Sequence, residues 1–183
     1  MFEELLLRIA KRLDKENIPY MIIGGQAVLV YGIPRLTEDI DITLGIDIET
    51  LYKVLTACKR LRLERAIQAD NEFVKKTNVL ICRDPATGIR IDFIFSFLDY
   101  ERKAIKRAKS VIIKGYKVKF ASREDLIIHK MFAGRARDLE DVKNLTAKNK
   151  NRLGIKYIKK RLAEFSTIEE FKDILRKFEE LIC

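Results

Sequence analysis

Two carboxylates, Asp39 and Asp41, are separated by a single isoleucine. On an extended strand both point to the same side, about 6–7 Å apart along the backbone. Carboxylates held so close repel each other unless a cation sits between them. Magnesium, bound by a few carboxylates and completed by substrate phosphates, suits such a pair. Upstream, Gly24-Gly25 ends the apolar run Tyr20-Met21-Ile22-Ile23. Glycines at a strand-to-helix turn let backbone amides approach phosphates, and a helix N-terminus adds positive potential. A tight turn needing positive φ would use the same glycines without a ligand, and the two readings are compatible. No Gly-Lys-Ser/Thr follows, so this is not a Walker loop. A third acid, Asp92, lies in the later apolar run Ile89–Phe95. Two metal ions held by such acids stabilise both the attacking and the leaving oxygen of an in-line displacement. The pattern points to metal-dependent phosphoryl or nucleotidyl transfer.

These residues need particular elements around them. Phe2, Leu5, Leu6, Ile9 and Leu13 repeat at helical spacing, so an amphipathic helix opens the chain. Tyr20 to Ile23 reads as a short buried strand, and Gln26 to Tyr31 as a short helix ended by Gly32-Ile33-Pro34. Asp39 to Leu44 alternates: Asp39, Asp41 and Thr43 on one face, Ile40, Ile42 and Leu44 on the other. A solvated edge strand would alternate too, but the strongly apolar second face favours a sheet interior. Leu51, Val54, Leu55 and Cys58 mark a helix that Asp47 is placed to cap. Val79–Cys82 and Ile89–Phe95 are strands joined by a turn through Asp84-Pro85 and Gly88, with Arg90, Asp92 and Ile94 sharing one face of the second. A short basic helix precedes a hairpin that pairs residues 111–113 with 118–120. From Ser122, a natural N-cap, the pattern is helical: one helix closed by Gly134, a second over 136–147, a third through Ile155, Ile158, Leu162 and Phe165. Thr167-Ile168-Glu169-Glu170 reads as a capping box opening the last helix. The expected fold is α+β, a mixed sheet flanked by helices, with residues 1–121 as catalytic core and 122–183 as a basic helical region packed on it.

Hydrophobic residues make up 48% of the 183 residues and charged residues 35%, which suits a folded domain and argues against disorder. No apolar run approaches the roughly 20 residues needed to span a bilayer, and the acidic start lacks the basic region of a secretory signal. A cytoplasmic location without membrane attachment is expected. Cys58, Cys82 and Cys183 are scattered and far from the lone His129, which disfavours a zinc site or disulfide framework and suggests reduced thiols. The net charge of +10 is uneven. Residues 1–95 carry 14 basic and 14 acidic side chains, whereas Asp99–Arg161 carries 20 against 7. A field of that sign attracts polyanions such as RNA or nucleotide phosphates; a lysine-rich solvated surface would give the same count.

The ordered set — Gly-Gly, Asp-x-Asp on a strand, then Ile91-Asp92-Phe93 on another — resembles the nucleotidyltransferase superfamily, the polymerase-beta-like fold. Arg35-Leu36-Thr37-Glu38-Asp39-Ile40-Asp41 and Lys130-Met131-Phe132-Ala133-Gly134-Arg135-Ala136-Arg137-Asp138-Leu139-Glu140-Asp141 resemble its AbiEii toxin-like branch. By motif order the resemblance covers about residues 20 to 145. It implies that Asp39, Asp41 and Asp92 are catalytic and hold magnesium, with two ions expected, and that Asp92 helps deprotonate the incoming hydroxyl. Gly24, Gly25, Arg35, Thr37, Lys130 and Asp138 would bind the nucleoside triphosphate. The implied reaction moves a nucleoside monophosphate to an acceptor hydroxyl, an RNA or tRNA end being favoured and a protein or small molecule remaining open. RNA would be held by the basic residues 99–161, and a toxin role would imply an antitoxin partner. Two other readings stay open: an inactive nucleotide- or RNA-binding module on the same fold, and a basic nucleic-acid binder whose acids are structural. Arg135, Arg137, Asp138 and Asp141 also fit a helix-surface charge network.

Overall fold

A computed structural model describes residues 1–66, 68 and 70–182. They form two compact units: residues 1–26 with 36–121, and residues 27–35 with 122–183.

The first unit is built on a seven-stranded mixed sheet: β1 (Tyr20–Ile22), β2 (Asp39–Leu44), β3 (Glu64–Arg65), β4 (Val79–Arg83), β5 (Arg90–Phe95), β6 (Lys109–Ile113) and β7 (Tyr116–Phe120), in the order β3-β4-β5-β2-β1-β7-β6. The hairpins β4–β5 and β6–β7 are antiparallel, as is β1 with β2, while β2 runs parallel to β5 and β1 to β7. Alternation decides the faces. Ile40, Ile42 and Leu44 of β2 and Ile91, Phe93 and Phe95 of β5 are fully buried, while Asp39, Asp41 and Asp92 on the reverse side are partly exposed. Burying each large apolar side chain contributes about 1.5–3 kcal/mol, so a register slip of one residue would expose all six and bury the acids. Helix α1 (Phe2–Lys15) buries Leu5, Leu6, Ile9 and Leu13 and packs on β7 and on α3 (Leu51–Leu61). A short α2 (Gly24–Val30) follows β1, α4 (Asn71–Thr77) packs on β4, and α5 (Asp99–Lys106) on β2.

The second unit gathers α6 (Arg123–Ala133), α7 (Ala136–Asn149), α8 (Ile155–Phe165) and α9 (Ile174–Ile182) around Leu126, Ile127, Ile128, Val142, Leu145, Ile158, Leu162 and Phe178. The Ser122 hydroxyl accepts the Asp125 backbone N–H at 3.0 Å and caps α6, and Gly134 ends it with φ of 62°.

Two caps differ from the sequence reading. Asp47 makes no side-chain cap; its carboxylate binds Arg102, and residues 48–50 form a 3-10 turn before α3. Thr167 opens no capping box: its hydroxyl donates to the Glu164 carbonyl at 2.9 Å, and a 3-10 turn at Glu169–Phe171 sets Phe171 edge-on to Phe132, 4.9 Å between centroids, before α9 begins. Cys58 and Cys82 are buried free thiols 3.7 Å apart, and their mutual hydrogen bond and burial push the Cys58 thiol up. Cys183 lies outside the described residues.

His129, on α6, has an enclosed Nε2, and burial pushes its imidazole down to about 4 against the opposing charge of Asp125. The unfolded chain therefore protonates this group first. The stability it contributes is complete above pH 6.5 and is lost as pH falls toward about 4, with a full span of about 3 kcal/mol. Urea unfolding across that window should show the slope in the wild type and a flatter profile in His129→Leu.

Candidate active site

Three acids share one sheet face because of strand register. In the parallel β2–β5 pair, Asp39 stands opposite Arg90 and Asp41 opposite Asp92. Residues i and i+2 of one strand and paired residues of its neighbour all point the same way, so the four charges form a square. Arg90 closes it. Its Nε and one terminal NH2 each donate to an oxygen of Asp92 at 2.7 Å, a fork on a carboxylate whose side chain is 14% exposed. The Asp92 hydrogen bond, with the charges of Asp39 and Asp41 behind it, raises the Arg90 guanidinium above its usual range. The Thr37 hydroxyl lies 3.2 Å from both the Asp39 carbonyl and its Oδ1, and turns that carboxylate.

Gly24 sets the opposite wall. It has φ of +63°, and a Cβ built there would lie 1.8 Å from Asp41 Oδ2. No side chain fits between this backbone and the carboxylate, so glycine is obligatory for both reasons. The Ile23 N–H donates to the Asp41 carbonyl at 3.0 Å and fixes the approach. Gly25 is buried in the first turn of α2, and Gln26 after it is 7% exposed with an Nε2 that has no hydrogen-bond partner among the described residues.

The structure thus brings Gly24, Thr37, Asp39, Asp41 and Asp92 together in the first unit. Both oxygens of Asp92 accept hydrogen bonds from Arg90. Among the described residues no group of three or more His, Cys, Asp or Glu side chains stands ready to hold a metal ion. The donor chemistry nonetheless fits magnesium: hard carboxylate oxygens, and a cation already drawn into their midst. The sequence places Arg90 on the strand face of Asp92 and Gln26 at the start of a helix, but suggests no role at the site for either. Arg90 was detectable, because its two-residue spacing from Asp92 puts both on one strand face.

Arg35, Lys130 and Asp138 belong to the second unit, where they form a buried ionic cluster. Lys130 Nζ lies 3.1 Å from Asp138 and 2.7 Å from Asp141, with side-chain exposures of 5%, 3% and 8%. Arg35 pairs with Asp141, and Arg135 bonds Asp138 at 2.6 Å from a largely solvated position. Burial pulls the Lys130 ammonium down, opposed by Asp138. For Asp138, burial works upward, but the Arg135 hydrogen bond and the Lys130 charge prevail and hold it below the usual carboxylate range. The i, i+3 spacing of Asp138 and Asp141 on α7 aims both at one ammonium.

The family described as "Nucleotidyl transferase of unknown function (DUF2204)" matches residues 2–180 of the chain. No protein of curated function matches it by sequence. Several solved structures share the fold. The antibiotic-resistance factor ANT(2″)-Ia is 18% identical with a TM-score of 0.61, covering 90% of this chain and 91% of its own. An antigenic nucleotidyltransferase-like protein from Paracoccidioides brasiliensis is 18% identical with a TM-score of 0.59, covering 96% and 92%. The lincosamide antibiotic adenylyltransferase LnuA, lincomycin-bound, is 17% identical with a TM-score of 0.55, covering 79% and 96%.

Removing one member of a buried ion cluster leaves its partners uncompensated, at a cost of about 3–5 kcal/mol, whereas an exposed partner contributes about 1 kcal/mol or less. Lys130→Met should therefore lower unfolding free energy by about 3–5 kcal/mol in urea titration, and Arg135→Ala by no more than about 1 kcal/mol.

Proposed function

We propose a metal-dependent transfer reaction for this chain, which belongs to the family of nucleotidyl transferases of unknown function (DUF2204). The reaction moves a nucleoside monophosphate from a nucleoside triphosphate to an acceptor hydroxyl. The acceptor oxygen attacks the α-phosphorus, the bond from that phosphorus to the bridging oxygen breaks, and pyrophosphate leaves. The hydroxyl proton passes to an Asp92 oxygen and then to solvent. Asp39 and Asp41 would hold magnesium, which when bound supplies charge neutralisation for the phosphate oxygens. Thr37 orients Asp39, and Gly24 and Gly25 offer backbone unobstructed by side chains to the triphosphate. The observation that carries this reading is the close stacking of Gly24 on Asp41, with Asp92 in register beside it.

RNA is the favoured acceptor because of the basic segment Asp99–Arg161, with 20 Lys/Arg against 7 Asp/Glu. A toxin role with an antitoxin partner rests on the resemblance of residues 35–41 and 130–141. The same resemblance assigns Arg35, Lys130 and Asp138 to binding the nucleotide. One observation favours the alternative, an inactive binding module: Arg90 occupies Asp92 where a metal would draw it.

Incubation with α-labelled nucleoside triphosphates, magnesium and either RNA or small hydroxylated acceptors tests the choice. Label should move to RNA and fall by about a hundredfold or more in Asp39→Asn/Asp41→Asn. Label transfer that survives the double change would overturn the assignment, and transfer to no acceptor would favour the binding module. Arg90→Gln removes the competing cation. Its thermal midpoint should drop without magnesium, and added magnesium should raise it more than in the wild type.

A further inference from the structure

Residues 1–95 carry no net charge excess, yet their cations are not scattered. Arg8, Lys11, Arg12 and Lys15 follow helical i, i+3, i+4, i+7 spacing on one side of α1. With Arg60, Leu61 and Arg62 at the end of α3 they line an open cavity of about 500 Å³. Among the described residues, Glu16 binds Arg12 and Arg60, Asp84 lies 3.5 Å from Arg8, and the Glu4 carboxylate feels the charge of Lys11. Arg8 also donates to the Leu61 carbonyl at 2.8 Å, so three guanidinium groups are held in place before any ligand arrives. Lys15 and Arg62 are exposed, and no carboxylate pairs with either among the described residues.

Arg62 is the telling residue. It caps α3 in the left-handed conformation with φ of 58°, a position that glycine or asparagine ordinarily fills. The fold alone gives no reason for an arginine there; a guanidinium at the cavity mouth does. The α1 row runs about 10 Å from Arg8 to Lys15, a reach that takes more than one phosphate of a strand to answer. One phosphate would leave most of the row unanswered. Leu61, 6% exposed, is the one apolar residue of the lining among those described, so the cavity offers a protein partner no hydrophobic anchor and a nucleobase no aromatic ring.

We propose that this groove binds the phosphate backbone of an RNA strand, without reading its sequence. Its lining residues all lie outside residues 99–161 in the chain, although Lys11 reaches over the Tyr116 ring, 5.4 Å from its centroid. The choice of RNA rests on the acceptor reading above; the phosphate chemistry does not.

The intact 183-residue chain is titrated into a fluorescent single-stranded RNA oligonucleotide, without nucleoside triphosphate, between about 50 and 200 mM salt. In Lys15→Gln/Arg62→Gly the affinity should fall about tenfold and the slope of log affinity on log salt should become shallower by about 1.4, two contacts at about 0.7 each. The thermal midpoint of Arg62→Gly should stay level or rise, since glycine suits the cap. Unchanged affinity and slope would overturn the proposal. So would an equal effect of Lys148→Gln/Lys150→Gln alone, or inorganic tripolyphosphate binding as tightly as the RNA. Because binding is read without chemistry, loss of label transfer in the earlier assay and loss of RNA binding here are separate results.

Discussion

Like charges on neighbouring strands govern this molecule. Adjacent strands lie about 4.8 Å apart, and the β2–β5 register sets Asp41 beside Asp92 at that spacing, with Asp39 one step along. Two carboxylates about 5 Å apart repel by roughly 3 kcal/mol at an effective dielectric of about 20. Register cannot shift to relieve this, because the reverse face holds Ile40, Ile42, Ile91 and Phe93 in the core. The remedy is a cation, and the chain supplies one in Arg90, forked onto Asp92. The apolar face fixes the acids, the acids require positive charge, and whatever binds productively here must supply it in place of the guanidinium.

The second unit solves a related problem in the opposite way. Lys130, Asp138, Asp141 and Arg35 are buried together as two cations and two anions, so the cluster is nearly neutral and its members satisfy one another. Such a cluster contributes little net stability over an apolar replacement, but it fixes one arrangement of α6 and α7, since any other leaves charge buried alone. The square of charges on the sheet keeps an excess of acid; this one does not.

Much of this was legible in the sequence. The alternation in β2 is sharp enough to give both its faces and the acid pair, and Ser122 and Gly134 announce the ends of α6 by their chemistry. The failures have physical causes. Asp47 and Thr167 have the right residue types for caps, but Arg102 and the Phe132–Phe171 contact compete for the same segments, and tertiary partners outweigh a cap of about 1 kcal/mol. β3 is two residues long and α4 buries Val74 alone, so neither leaves a periodic trace. Asp92 was placed on the correct face, yet its partner lies two residues away on the same strand, and counting acids draws attention from the adjacent base. The even charge balance of residues 1–95 hid a one-sided helix, because a sum over sequence discards direction.

The membership of residues 27–35 has a consequence for how the gene can be divided. The chain leaves the first unit after Gln26, re-enters it at Leu36, and leaves again after Ala121. No single cut in the polypeptide therefore yields both units whole. A fragment ending at residue 121 would carry Ala27 and Val28, each fully buried in the intact chain, without the helices grouped with them. A fragment beginning at Ser122 would lack Arg35, the partner of Asp141.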